Sequence, residues 1–203
     1  TTSMSSAIGA ESVAIVDLPG LHAAAVANTQ RIVDSIDRSM FGLATPCEDW
    51  NVGEVLQHLV AGNLWVAPLV EGQTIDEVGT RFDGDVLGDD PASAHRSSGE
   101  AASAAFGAPG AMDAPCAVSY GPVPGSVYCG HRLIDVVVHG WDLAVATGGD
   151  EALPERLVTA CVAVVLPQLD MLSGSGAFGD AVDLGPYVEP QRRLLGLMVR
   201  RRA

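Results

Sequence analysis

The 203-residue sequence predicts an all-α helical bundle, and three observations carry that reading. Apolar residues recur at three- and four-residue spacing through successive segments, each bounded by residues that start or stop helices. Hydrophobic residues make up 48% of the chain and charged residues 18%, which suits a folded core in a chain of one-domain length. Only one brief piece near the C-terminus reads as extended.

Residues 1–17 are small and polar and are expected to form a flexible N-terminal segment, with residues 18–203 as one domain. Pro19 opens the first helix, in which Leu21, Ala25, Ile32, Val33 and Ile36 share a face; it is expected to end near Gly42. Asn51, with Glu54 three residues later, predicts a capping box at the start of a second helix. Val52, Val55, Leu56, Leu59 and Val60 supply its apolar face to about Leu69. From Glu71 to Asp90 the chain is rich in Gly and Asp and reads as an acidic surface loop; the ligand order of a calcium loop is absent. Pro91 to Phe106 is Ala-rich and predicts a third helix, stopped by Gly107, Pro109 and Gly110. Residues 108–127, dense in Pro and Gly, predict an ordered crossover loop or a turn-containing strap. HRLIDVVVHGWDLAVATGG predicts a fourth helix that stops at Gly148 and Gly149. Pro154 opens a fifth, which Pro167 kinks or ends. A glycine-rich break at 174–179 precedes a short extended piece and a short terminal helix.

Composition narrows the function. The net charge of −14 opposes nucleic-acid binding, and the one dense basic cluster is Arg200, Arg201 and Arg202. All basic residues are Arg, so lysine Schiff-base chemistry is excluded. No apolar run is long enough for a transmembrane helix and no signal peptide is evident, so no membrane partner and a cytoplasmic location are expected. Cys47, Cys116, Cys129 and Cys161 form no C-x-x-C pair and are expected to be free thiols. Walker A and G-x-S-x-G motifs are absent.

His131, Asp135 and His139 recur every four residues on the fourth helix and lie along one stripe. Asp135 and His139, one turn apart, can grip one metal ion if a facing helix supplies a third ligand. His58, embedded in the apolar stretch of the second helix, is the candidate. The alternatives are a hydrogen-bonded core histidine at 58 and a helix-surface ion pair at 135 and 139. Trp50, Trp65 and Trp141 read as core or pocket walls, with core preferred.

Two stretches together, TPCEDWNVGEVLQHLVAG at 45–62 and DVVVHGWDLAVATG at 135–148, resemble the DinB-like metal-binding superfamily. The resemblance is to its actinobacterial branch, typified by the N-terminal domain of mycothiol-dependent maleylpyruvate isomerase, and the C-terminal stretch is similar to the tail of small members. It implies a four-helix bundle with a crossover loop and a short C-terminal extension. It also implies a divalent metal held by His58, Asp135 and His139, zinc first, with nickel or iron(II) as alternatives. Many superfamily members have His at the position of Asp135 and the isomerase has Glu; the shorter Asp reaches less far. Asp142 would orient a ligand histidine or serve as a cap, and His131 would face the pocket mouth or solvent. Tyr120, Tyr128 and Arg132 are pocket candidates beside structural readings of each.

The implied function is a metal-dependent transferase or isomerase using a mycothiol-type thiol on an electrophilic small-molecule substrate, the metal activating thiol or water. The isomerase carries a further C-terminal domain that 203 residues are too few to contain in full, so maleylpyruvate isomerisation itself is not the expected activity. The alternatives are a non-catalytic metal- or small-ligand-binding bundle, as a homodimer, and a thiol-free metal-dependent biosynthetic enzyme.

Overall fold

The computed structural model describes residues 17–169 and 187–200. Among them run helices α1 (Leu18–Val33), α2 (Val52–Val70), α3 (Ile75–Val78), α4 (Pro91–Phe106) and α5 (Gly125–Thr147). Strands β1 (Pro115–Val118) and β2 (Gly121–Pro124) precede α5, and α6 (Glu155–Val165) and α7 (Pro190–Leu197) follow it. No helix among the described residues is long and apolar enough to cross a membrane. The expected N-terminal segment up to residue 16, the glycine-rich break and extended piece, and Arg201 and Arg202 lie outside the described residues.

Four helices make the bundle. α1 packs against α5 and α4, and α2 packs against those same two helices, so the ring order is α1, α5, α2, α4. α1 and α2 are therefore diagonal, as are α4 and α5, which requires the crossovers at 34–51 and 107–124, while α2 and α4 are neighbours joined over the 71–90 segment. One core cluster joins Ala25 and Val33 of α1, Val55, Leu56 and Leu59 of α2, and Leu133, Val137 and Leu143 of α5. α6 and α7 pack on each other, and Leu157, Cys161 and Leu194 extend this core. A second cluster gathers Val66, Leu69, Phe106, Cys116 and Tyr128 under the hairpin. At the α1–α5 crossing, a Cβ on Gly140 would lie 2.4 Å from Thr29 Oγ1, so only glycine permits this approach. Thr29 in turn donates to the Val136 carbonyl at 3.1 Å.

Local signals placed most boundaries. Asp17 caps α1 by accepting from Gly20 N, with Pro19 in its first turn. Asn51 and Glu54 form the reciprocal capping box of α2. Gly148 takes the left-handed conformation that stops α5.

The structure corrects the first helix end and the acidic loop, and gives the strap its turn. α1 ends at Val33 rather than near Gly42: Asp37 caps a separate 3-10 turn at Arg38–Met40, and the chain folds back so that Thr45 Oγ1 donates to the Trp50 carbonyl at 2.7 Å. The acidic loop carries a packed element, since Thr74 and Glu77 cap the short α3 and Val78 and Leu87 are buried. The strap contains an antiparallel hairpin, Pro115 paired with Pro124 and Val118 with Gly121. Its prolines are tolerated because a two-stranded ribbon has only edge strands.

Candidate metal centre

The seam between α2 and α5 brings together three residues separated by up to 81 positions. His58 projects from α2 with its Nε2 3.2 and 3.0 Å from Oδ1 and Oδ2 of Asp135 on α5. His139, one turn beyond Asp135, places its Nε2 3.4 Å from the same Oδ1. One donor atom from each residue lies within 4.8 Å of the others. Two imidazole nitrogens and a carboxylate oxygen are a donor set that suits zinc and its neighbours in the first transition row. The residues present therefore fit a divalent ion. The His58 side chain is 35% exposed and that of His139 8%, so the centre opens to solvent on the His58 side.

Two of these three side chains are held from behind. His139 Nδ1 lies 3.0 Å from Asp142 Oδ2, which directs Nε2 toward the other two ligands. Asp135 Oδ2 accepts from Arg132 Nη1, leaving Oδ1 between the two imidazoles. Burial alone would raise the Asp135 carboxyl; the Arg132 guanidinium and the His58 hydrogen bond outweigh it and hold the group well below the usual carboxylate range. Arg132 is itself fixed by Asn63 Oδ1 at 3.1 Å and the Leu59 carbonyl at 3.4 Å. Gly62 makes room for it, since a Cβ there would sit 2.3 Å from Arg132 Nη1.

Trp50 covers the two histidines, its ring centroid 4.7 Å from that of His58 and 5.4 Å from that of His139. It is a wall of the centre and also packs, half-buried, against the main core cluster. Trp141 is buried, and Trp65 stands edge-on to Phe82 at 6.0 Å.

A second donor group, Cys47, His139 and Asp142, shares His139 with the first. Arg200 decides against it, because its guanidinium donates to both oxygens of Asp142 and would oppose a cation there. Burial also pushes the Cys47 thiol up, against the opposing pull of Arg200, so it stands as a protonated thiol at neutral pH.

The other sequence candidates fall elsewhere. His131 turns to the hairpin, where its Nδ1 meets Tyr120 Oη at 2.5 Å and its Nε2 meets Gln168 Oε1 at 2.6 Å. Tyr128 is buried edge-on to Phe106 at 5.5 Å, within the apolar cluster under the hairpin. His95 is buried at the α1–α4 seam, 2.7 Å from Gln30 Oε1. Two surface grooves, one of Leu18 and the outer face of α6, the other between Arg38, Asn51 and Gly84, contain none of the three ligands. The roles of Arg200 and Asn63 escaped the sequence reading, and Arg200 has no local signal, since 58 residues separate it from Asp142.

A family model described as mycothiol maleylpyruvate isomerase N-terminal domain matches residues 22–144, a range that includes His58, Asp135 and His139. Two uncharacterized proteins of Mycobacterium tuberculosis, from two strains, are each 34% identical to this chain over 145 residues, 68% of this chain and 73% of theirs. No solved structure matches.

Proposed function

Because the chain belongs to the mycothiol maleylpyruvate isomerase N-terminal domain family, a DinB-like family, we propose that it is a metal-dependent transferase or isomerase that uses a mycothiol-type thiol on an electrophilic small molecule. The observation that carries this reading is the convergence of His58 Nε2, His139 Nε2 and Asp135 Oδ1 at one point of the α2–α5 seam. Three protein ligands leave room for a small molecule, which is the arrangement of catalytic rather than structural zinc. When bound, such an ion supplies positive charge that lowers the pKa of a thiol or water placed against it.

The chain's own residues favour an anionic partner at that position. Asp135 is matched by Arg132 and Asp142 by Arg200, so the two carboxylates add no net negative charge around the ligands. The positive charge of a bound ion is then left for the incoming ligand. Trp50 shields one side of both imidazoles from water, while the exposed edge of His58 leaves an approach open.

The test is metal content by elemental analysis of untagged protein, followed by a mycothiol titration of the zinc-loaded form. About one ion per chain with saturable thiol binding is the expected result. Metal without thiol binding overturns the thiol cosubstrate in favour of a thiol-free enzyme or a binding protein, and no metal overturns the centre.

A further inference from the structure

Asp142 is fully buried, and a buried carboxylate requires a countercharge or proton. Arg200 supplies the charge from 58 residues away: its Nε donates to Oδ1 and Oδ2 at 3.0 and 3.1 Å, and its Nη2 donates to Oδ2 at 2.8 Å. The remaining arm, Nη1, donates to the Met198 carbonyl at 3.1 Å. Asp142 Oδ2 is therefore shared between this guanidinium and the Nδ1 of His139.

The backbone that delivers Arg200 is strained. α7 ends in a Schellman turn, with Val199 N donating to the Gly196 carbonyl at 3.1 Å and Arg200 N to the Leu195 carbonyl at 2.7 Å. The left-handed position of that turn, normally glycine, is occupied by Val199 at φ 59°, the one non-glycine residue with positive φ among the described residues. A β-branched residue resists this conformation, and strain of this kind gathers where the surrounding structure needs it. Here the turn reverses the chain after α7 and carries Arg200 to Asp142.

We propose that Arg200 is a positioning residue for the metal centre. Clasped on both oxygens, Asp142 holds the proton of His139 on Nδ1 and turns Nε2 toward His58 and Asp135. The proposal rests on the metal-centre reading above. Without the guanidinium, Asp142 loses its countercharge and three hydrogen bonds, and the His139 ring is no longer held in one orientation.

The experiment compares wild type with Arg200→Gln and Arg200→Lys. Nitrogen-15 NMR of the metal-free protein reads the Nδ1–H of His139, and competition with a chromophoric chelator reads zinc affinity. Wild type is expected to show a slowly exchanging, hydrogen-bonded Nδ1–H resonance. Arg200→Gln is expected to lose it and to bind zinc about 10- to 100-fold more weakly. Lys restores the charge without the two-pronged geometry and is expected to lie between. An Arg200→Gln protein that keeps both the resonance and the zinc affinity overturns the proposal. Should that variant fail to fold, the Lys variant decides in the same way: both readouts altered supports the role, both unchanged overturns it. A wild type that binds no zinc overturns the metal centre itself, whereas the Nδ1–H comparison still decides whether Arg200 orients His139.

Discussion

Two imidazole nitrogens and one carboxylate oxygen make the candidate centre, so removal of either histidine leaves too few ligands for a divalent ion. His58→Ala and His139→Ala are each expected to abolish stoichiometric zinc in elemental analysis. His95→Ala is expected to retain it, because His95 faces Gln30 across the α1–α4 seam rather than the ligands. Equal retention in all three variants would remove the assignment. At the level of single residues, the convergence of side chains was legible where it lay on one helix: the four-residue spacing of Asp135 and His139 is visible in the chain, and a histidine among Leu56, Leu59 and Val60 stands out. Trp50 was harder to read, because it lies before the helix start and reaches both imidazoles only when the 41–51 segment folds back. Arg200 carried no signal, since a countercharge for a buried carboxylate can come from any part of the chain.

Helix boundaries divide in the same way between local and distant causes. The Asn51–Glu54 capping box, the Pro91 start and the Gly148 stop act within one turn and could be read directly. The end of α1 could not, because Ile36 continues the apolar pattern past Val33 and packs against the core from outside the helix. The hairpin at 115–124 was hidden by its prolines, which argue against strands until it is clear that both strands are edges. Val199 offers a test at this scale. Relief of the left-handed strain by Val199→Gly is expected to stabilise the protein by up to about 1 kcal/mol in urea unfolding, with zinc affinity unchanged. A loss of stability would show that the Val199 side chain contributes more through packing than it costs through backbone strain.

For the molecule as a whole, zinc and protons should act on stability from opposite sides of the bundle. An ion that binds only the folded chain stabilises it by about 2.7 kcal/mol at one hundred times its dissociation constant, so the melting temperature should rise on zinc loading and fall on chelation. An unchanged melting curve would exclude a tight site of this kind. Protons act through His22 and His95, both fully buried. Burial, with the charge of Arg132 adding to it, lowers His22 to about 3 and His95 to about 4. Above the unfolded value of 6.5 both states are neutral and neither histidine makes stability depend on pH. Below it the unfolded chain takes up protons that the folded chain refuses, so stability should fall by as much as about 1.4 kcal/mol per pH unit for each residue. Urea midpoints of metal-free protein at pH 7 and pH 5 check this, and equal midpoints would count against it.

The ring order of the bundle also has a kinetic consequence. His58 and Asp135 stand 77 residues apart, and their helices meet only after the chain between them has formed α4 and crossed the bundle diagonally. Contacts of such long range pay the largest loop-closure entropy and tend to form late in folding. An ion held between them would then act after the folding barrier, slowing the escape of the native chain while leaving its rate of formation unchanged. The metal would serve as a latch on a finished bundle rather than as its nucleus.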